Sequence, residues 1–391
     1  MKILHTVEKY WPQGGGMAEV VRQVSERLAA RGYDVTVAAR REGDLERQET
    51  HRGVKISRFS VTGNWARGMS GEIDSYRDFV CGGGFDIVVN FAAQQWATDT
   101  LLDCLDQISA TKVMVPTGFS GLPWKEYADY YRQMPGWLKH YDRLVFLGTE
   151  CRDACFTREH GFEGRSVIIP NGAAAEEFLV DEVGDIRSAL DIPQDHALIL
   201  LVGAHTGLKG HAQAFRLFSK SRLRHATLLI VGSRISRPCG QECLQRQRSL
   251  RAKVDRLLFD QRCVVTELSR AQTIAAFKAA DIFLFPSMIE CSPIVLFECM
   301  ASKTPFLVTD VGNSREIVSW TSGGEILPGE IDDAGLCHVD IESGARALTD
   351  LWRNPDRRRS MAERGFTAWQ QRFTWEKVAS QYELLYEQLR N

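Results

Sequence analysis

Two glutamates with seven residues between them, Glu290 and Glu298, bracket the segment Cys291-Ser292-Pro293-Ile294-Val295-Leu296-Phe297. Ser292 is of a type that caps helices, and Pro293 suits the first helical position because the amide it lacks would have no partner there. A helix is therefore expected to start between the two carboxylates and to run through Cys299 and Met300 until Lys303-Thr304-Pro305 stops it. Nearly all its side chains are apolar, which marks a buried helix. Its N-terminus offers free amides and a positive dipole end, which attract phosphate. A carboxylate as deep in such a helix as Glu298 needs a partner, and sugar or ribose hydroxyls would serve. One glutamate on each side of a phosphate-binding helix start suits a nucleotide-sugar.

Two glycine-rich turns add to this. Val202-Gly203-Ala204-His205-Thr206-Gly207-Leu208-Lys209-Gly210 follows a strand-like run and carries one lysine, placed where its ammonium would reach a diphosphate. His205 either assists a phosphate or caps the turn. Near the N-terminus, Gly14-Gly15-Gly16 precedes a helical pattern and would let the backbone approach a ligand closely. That loop lacks the dinucleotide fingerprint, which argues against NAD. A third turn, Thr309-Asp310-Val311-Gly312-Asn313, precedes a helix whose start Glu316 would support. The stretch from Leu122 to Tyr141 holds two tryptophans and four tyrosines. Packing of an amphipathic helix is its simplest reading, and an acceptor-side surface is the sharper one.

These side chains need a scaffold of strands and helices. The chain has 391 residues, 44% hydrophobic and 25% charged, enough for two globular domains. A formal net charge of -2 gives no global attraction to nucleic acid. No apolar run approaches a membrane span and no signal peptide is apparent, so a cytoplasmic location is expected, with any membrane contact local. Ten cysteines without tight pairing read as reduced thiols. Cys151 with Cys155 and Cys239 with Cys243 are each four apart, but zinc pairs usually have a two-residue gap and no suitably spaced histidine pair accompanies these. No metal is expected. Short β-branched runs alternate twice with helical patterns, from Ile3 to Pro170 and again from Ala197 to Leu327, which implies two doubly wound α/β units. An acidic stretch from Glu176 to Asp191 is the expected hinge. The last segment, with Trp375, Val378, Tyr382, Leu385 and Leu389 on one side, reads as a long amphipathic helix. Ligands of open α/β sheets bind beyond the carboxyl ends of the strands, so two facing units would place a cleft between them.

Taken together these residues resemble the retaining glycosyltransferases of family 4, over the whole chain. The likeness rests on Gly14-Gly15-Gly16, on Gly203 to Lys209-Gly210, on the Pro286-Ser287 lead-in, on the pair Glu290 and Glu298, on Gly312 to Glu316, and on the Phe373-Trp375 segment. It implies the GT-B architecture, two facing Rossmann-like domains. Residues 1–175 would form the acceptor-side domain, 176–372 the nucleotide-sugar domain, and 373–391 a helix packing back toward the first. It also implies that Glu290 contacts the donor sugar near its reacting carbon and that Lys209 neutralises the leaving phosphate. Gly15, Gly16, Gly203, His205, Ser292, Pro293 and the amides of Ile294 and Val295 would line the donor site, with Glu298 on the ribose. The implied reaction moves a sugar from a UDP- or GDP-type donor to a sugar, glycolipid or polysaccharide hydroxyl, with retention and with no cofactor or metal. Such enzymes commonly serve cell-surface polysaccharide or glycolipid assembly, with peripheral contact at the inner face of the membrane. Ala204 stands where family members usually have arginine, which leaves the diphosphate to Lys209 with help from His205 or Arg234. Pro116-Thr117-Gly118-Phe119-Ser120 replaces the usual histidine of the first domain, and Cys291-Ser292 the usual glycine and aromatic residue. Two other readings fit the same plan: a non-hydrolysing sugar-nucleotide epimerase, or a catalytically silent partner of another transferase.

Overall fold

The computed structural model describes residues 1–180, 184–233 and 235–390. The chain divides into two compact units, Met1–Asn171 joined by the segment from Trp375 onward, and Gly172–Thr374. The acidic segment expected to be a hinge belongs largely to the second unit. Its apolar residues Phe178 and Ile186 are buried in that unit's core, which outweighs the exposed acidic side chains around them.

The first unit holds strands β1 (Lys2–Thr6), β2 (Asp34–Arg40), β3 (Gln48–His51), β4 (Val54–Phe59), β5 (Val61–Asn64), β6 (Gly68–Gly71), β7 (Ile87–Phe91), β8 (Thr111–Val115), β9 (Arg143–Phe146) and β10 (Ser166–Ile168). Among the described residues, eight of them form one sheet in the order β10-β9-β8-β7-β1-β2-β4-β3, and β5 and β6 make a separate hairpin. Only β3 is antiparallel in the large sheet. The helix Gly16–Ala30 returns the chain from β1 to β2, and the C-terminal helix Trp375–Arg390 packs against it. That helix buries Trp375, Val378, Tyr382 and Leu385, the side expected from its spacing. Arg31 Nη1 lies 2.6 Å from Glu383 Oε2, and Tyr386 Oη lies 3.2 Å from His5 Nε2 in β1.

The second unit holds β11 (Ala197–Val202), β12 (Ala226–Val231), β13 (Gln261–Thr266), β14 (Ile282–Phe285), β15 (Phe306–Thr309) and β16 (Gly324–Leu327), plus the hairpin β17 (Gly329–Ile331) with β18 (Cys337–Val339). The six form an all-parallel sheet in the order β13-β12-β11-β14-β15-β16. Helices cover both faces of such a sheet, so its central strands read as continuous apolar runs; Leu198, Ile199, Leu200 and Leu201 of β11 are all fully buried. Each contributes about 1.5–3 kcal/mol by leaving water. The two hairpins and β3 are absent from the sequence reading because they are short and, in β6 (Gly68-Met69-Ser70-Gly71), look like turns.

Candidate functional site

In the second unit the strand order runs outward both ways from β11 and β14, so the order of connection reverses between these two parallel strands. Crossover helices leave on opposite faces at such a point, and a crevice opens beyond the carboxyl ends of the two strands. The residues singled out by sequence follow those two strands. Lys209 comes in the turn after β11, and Glu290 in the segment after β14. Lys209 Nζ lies 2.6 Å from Glu290 Oε1, and Ser287 Oγ lies 2.8 Å from the same oxygen. Both charged side chains are partly withdrawn from water, at 28% and 10% exposure, so each shields the other's charge.

Glycines make this approach possible. Gly210 has φ +71°, and a Cβ there would lie 1.7 Å from the Pro286 carbonyl oxygen. The Lys209-Gly210 turn therefore rests directly on the chain leaving β14. Gln213, on the helix His211–Ser221 that follows, donates from Nε2 to the same Pro286 oxygen at 3.0 Å. Met288 N donates to Leu208 O at 2.9 Å and completes the seam. On the far side, Gly312 at φ +56° would place a Cβ 2.0 Å from Cys291 O, so the turn after β15 supports the residue next to Glu290. Glu316 sits in the first turn of the helix Ser314–Thr321, as its position suggested.

The helix after Glu290 begins one residue later than the sequence indicated. It spans Ile294–Ala301 with Pro293, not Ser292, as N-cap, and no side chain caps it. Pro293 has ψ 113°, an extended value, so the helix cannot include it, and its carbonyl accepts the first bond, from Leu296 N at 3.1 Å. The amides of Ile294 and Val295 lead the helix and precede its first internal bond. Leu296, Phe297, Cys299 and Met300 are buried, as the apolar composition required. Glu298 is buried too, and its partner is protein: Arg270 Nη1, from the helix Arg270–Ala279, lies 2.5 Å from Glu298 Oε1 and also pairs with Glu177. Burial alone would lower the Arg270 pKa, but Glu298 and Glu177 together raise it above its ordinary value. Nothing in the sequence pointed to Arg270, which is 28 positions away from Glu298 on another helix.

His205 packs against another imidazole. It is 2% exposed, and its ring stacks on His211 with centroids 4.4 Å apart. Burial lowers the pKa of both imidazoles, that of His211 to about 4, so neither carries a positive charge for a phosphate near neutral pH. Arg234, the other expected helper, lies outside the described residues. Gly203 lets Lys209 fold back over the strand end: a Cβ there would meet Lys209 Cβ at 3.1 Å.

In the first unit the strand order reverses between the parallel neighbours β1 and β7. Gly15 follows β1 and caps the Gly16–Ala30 helix at φ 142°, with nothing within 4 Å of where a Cβ would stand, so the need for glycine there is conformational. A pocket opens beside the switch, lined by Glu8, Gln94, Gln95, Ser120, Trp124 and Tyr127. Non-glycine residues with positive φ gather round it: Ala92, Gln94, Thr117 and Phe119. Backbone strain of this kind is held where the surroundings over-determine it, commonly at binding sites. Gln94 N donates to Tyr130 Oη at 3.1 Å, which donates to Asp99 Oδ1 at 2.8 Å. Burial pushes the Asp99 carboxyl up to about 7. In the aromatic stretch Tyr130, Tyr131, Trp137 and Tyr141 pack, as the simpler reading had it, while Trp124 and Tyr127 edge the pocket.

Two family models match in tandem: the glycosyl transferase 4-like domain over residues 15–172 and glycosyl transferases group 1 over residues 183–367. The chain belongs to the group 1, family 4-like glycosyltransferases. An uncharacterized glycosyltransferase of Methanocaldococcus jannaschii is 25% identical over 83% of this chain and 84% of its own length. The lipopolysaccharide glucosyltransferase WaaG of Escherichia coli is 25% identical over 84% of this chain and 85% of its own. Among solved structures, sucrose-phosphate synthase from Thermosynechococcus elongatus superposes with a TM-score of 0.79 at 20% identity, covering 99% of this chain and 98% of that one. Anabaena HepE in complex with UDP and glucose gives 0.73 at 16% identity, covering 99% and 100%. The fold of this glycosyltransferase is accordingly GT-B, built from two Rossmann-like units. Among its described residues no helix is long and apolar enough to cross a membrane.

Proposed function

We propose that this glycosyltransferase binds a nucleotide-diphosphate sugar at the β11/β14 switch of its second unit and transfers the sugar with retained configuration. The observation that carries the proposal is the Lys209–Glu290 pair, held at 2.6 Å by a glycine seam at that switch. In the resting site the two charges compensate each other. An incoming diphosphate competes for the ammonium of Lys209, and the carboxylate of Glu290 is released toward the hydroxyls of the sugar. The amides of Ile294 and Val295 face the phosphate oxygens, and the helix dipole adds to their pull. Glu298 would share its oxygens between Arg270 and the ribose.

In the reaction, the bond from the anomeric carbon to the diphosphate oxygen breaks and the bond to the acceptor oxygen forms on the same face. The acceptor's proton passes to the departing phosphate oxygen. Charge grows on the leaving group as an oxocarbenium-like sugar forms, so preoriented amides and one cation are placed where stabilisation is needed. This scheme uses no metal at the diphosphate. The strained pocket of the first unit, with polar groups and two aromatic edges, has the composition for a sugar-bearing acceptor. The relative named for lipopolysaccharide supports a glycolipid or polysaccharide acceptor.

The test is nucleotide release from a panel of UDP- and GDP-sugars, with the product's anomeric configuration read by NMR. Release that depends on Glu290 and Lys209, with a retained product, is the expected result. Conversion of a UDP-sugar to its 2-epimer without transfer would assign an isomerase instead. Absence of both binding and turnover across the panel would make the chain a silent partner.

A further inference from the structure

Around the turn that bears Lys209, four potential metal ligands converge: His205, His211, Cys239 and Cys243, with one ligating atom of each within 4.8 Å of all the others. They come from three elements. His205 lies in the turn after β11, His211 opens the helix His211–Ser221, and the two cysteines are one turn apart on the helix Pro238–Gln247. Spacing four puts both thiols on one helix face. Three of the four residues are buried and Cys239 is half-buried.

The distances fit a tetrahedral ion. With metal–sulfur bonds of about 2.3 Å and metal–nitrogen bonds of about 2.0–2.1 Å, the nitrogen–sulfur edge of a tetrahedron is about 3.6 Å. Cys239 Sγ lies 3.5 Å from His211 Nδ1 and 3.8 Å from His205 Nδ1. The other nitrogen of His211, Nε2, donates to Gly203 O at 3.1 Å, which requires its proton to be on Nε2 and leaves the Nδ1 lone pair directed at the cluster. His205 also turns its Nδ1 toward the Cys239 thiol, so both imidazoles present Nδ1 to the same sulfur.

We propose that His205, His211, Cys239 and Cys243 form a closed structural site for zinc(II). Binding displaces one proton from each thiol to solvent, so two thiolates balance the divalent charge and the buried site is neutral. Two imidazoles and two thiolates are a donor set that selects zinc over magnesium or calcium. All four positions are filled by protein, so the ion has no open place for substrate and takes no part in sugar transfer. What it does is clip the turn bearing Lys209, and the start of the helix after it, to the Pro238–Gln247 helix. Glycines again permit the approach: a Cβ on Gly232 would stand 2.1 Å from Gly203 O and 3.3 Å from the His205 ring. The histidines do not stand out by spacing because they precede the cysteines by about 30 positions, one in a turn that resembles a phosphate loop and one at the start of the helix after it.

The inference stands independently of the donor assignment and is tested without an activity assay. Untagged full-length protein, purified without chelator, is analysed for metal by mass spectrometry. About one zinc per chain is expected, as for other sites of this ligand set. Cys239→Ser and Cys243→Ser should reduce the zinc to background, while Cys263→Ser, outside the cluster, should retain it. Cobalt(II) added to reduced, zinc-stripped wild type should give strong tetrahedral ligand-field bands and thiolate-to-metal charge transfer. That spectrum decides the matter even if a serine variant fails to fold. Background zinc together with no thiolate–cobalt band in folded wild type would overturn the proposal, as would undiminished zinc in both cysteine variants.

Discussion

Gly210 is the position at which a single methyl group separates the proposed catalytic pair. Alanine there meets two obstacles. Its φ of +71° is left-handed, which costs a residue with a Cβ about 1–2 kcal/mol, and the new carbon would lie 1.7 Å from Pro286 O. Gly207, three positions earlier in the same turn, provides the control: φ is +87°, but nothing lies within 4 Å of its added Cβ. Both variants should lose the conformational term, visible as a lower urea midpoint. Only Gly210→Ala must also open the seam, by about 1.7 Å to reach the 3.4 Å of ordinary contact. The 2.6 Å Lys209–Glu290 bond cannot survive such a displacement. Misplacement of catalytic groups by about 1 Å can cost on the order of 10²-fold in rate, so that loss is expected in donor turnover for Gly210→Ala. Gly207→Ala should stay near wild type. Equal turnover by the two variants, each shown folded by circular dichroism, would refute the idea that this contact aligns the pair.

Three further outcomes follow from the same geometry. Lys209→Met should leave Glu290 without its cation and cost about 1–3 kcal/mol, whereas Lys209→Met with Glu290→Gln should regain part of that stability and none of the activity; urea unfolding and nucleotide release read the two effects separately. Arg270→Ala should destabilise by about 3 kcal/mol, the low end for breaking a buried pair because Arg270 is 43% exposed, and Arg270→Lys should recover only part of it because one ammonium cannot serve both Glu298 and Glu177; thermal melts of the three proteins check the order. His5 is fully buried and burial lowers its pKa to about 3, so its contribution to stability is present above the unfolded value of 6.5 and is lost as pH falls toward 3. Asp99 and Asp153 act oppositely, since burial raises them to about 7 and about 6 and their contribution fades as pH rises through those values. At pH about 5, His5→Asn should therefore reduce the slope of unfolding free energy against pH by about 1.4 kcal/mol per unit, and an unchanged slope would contradict a neutral buried His5.

The family, the doubly wound units and the key turns were legible in the sequence because each depends on local pattern. Alternating apolar strands and helical spacing mark the sheets. Glycines mark the turns, and an almost wholly apolar helix with a glutamate before it and one inside it marks the proposed donor site. Caps are local as well, yet Pro293 rather than Ser292 became the N-cap because an extended ψ at the proline delayed the helix by one residue. The rest depended on contacts distant in sequence. Arg270 reaches Glu298 from the start of another helix of the same unit. His205 has a residue type suited to a phosphate, but β11 and β12 end together, and their exits place its ring beside His211 and Cys239. Side-chain chemistry and helix or strand period are written residue by residue. Which charge meets which partner is set by the strand order of the sheet, which brings the turns after β11 and β14 to one crevice although about 80 positions separate Lys209 from Glu290.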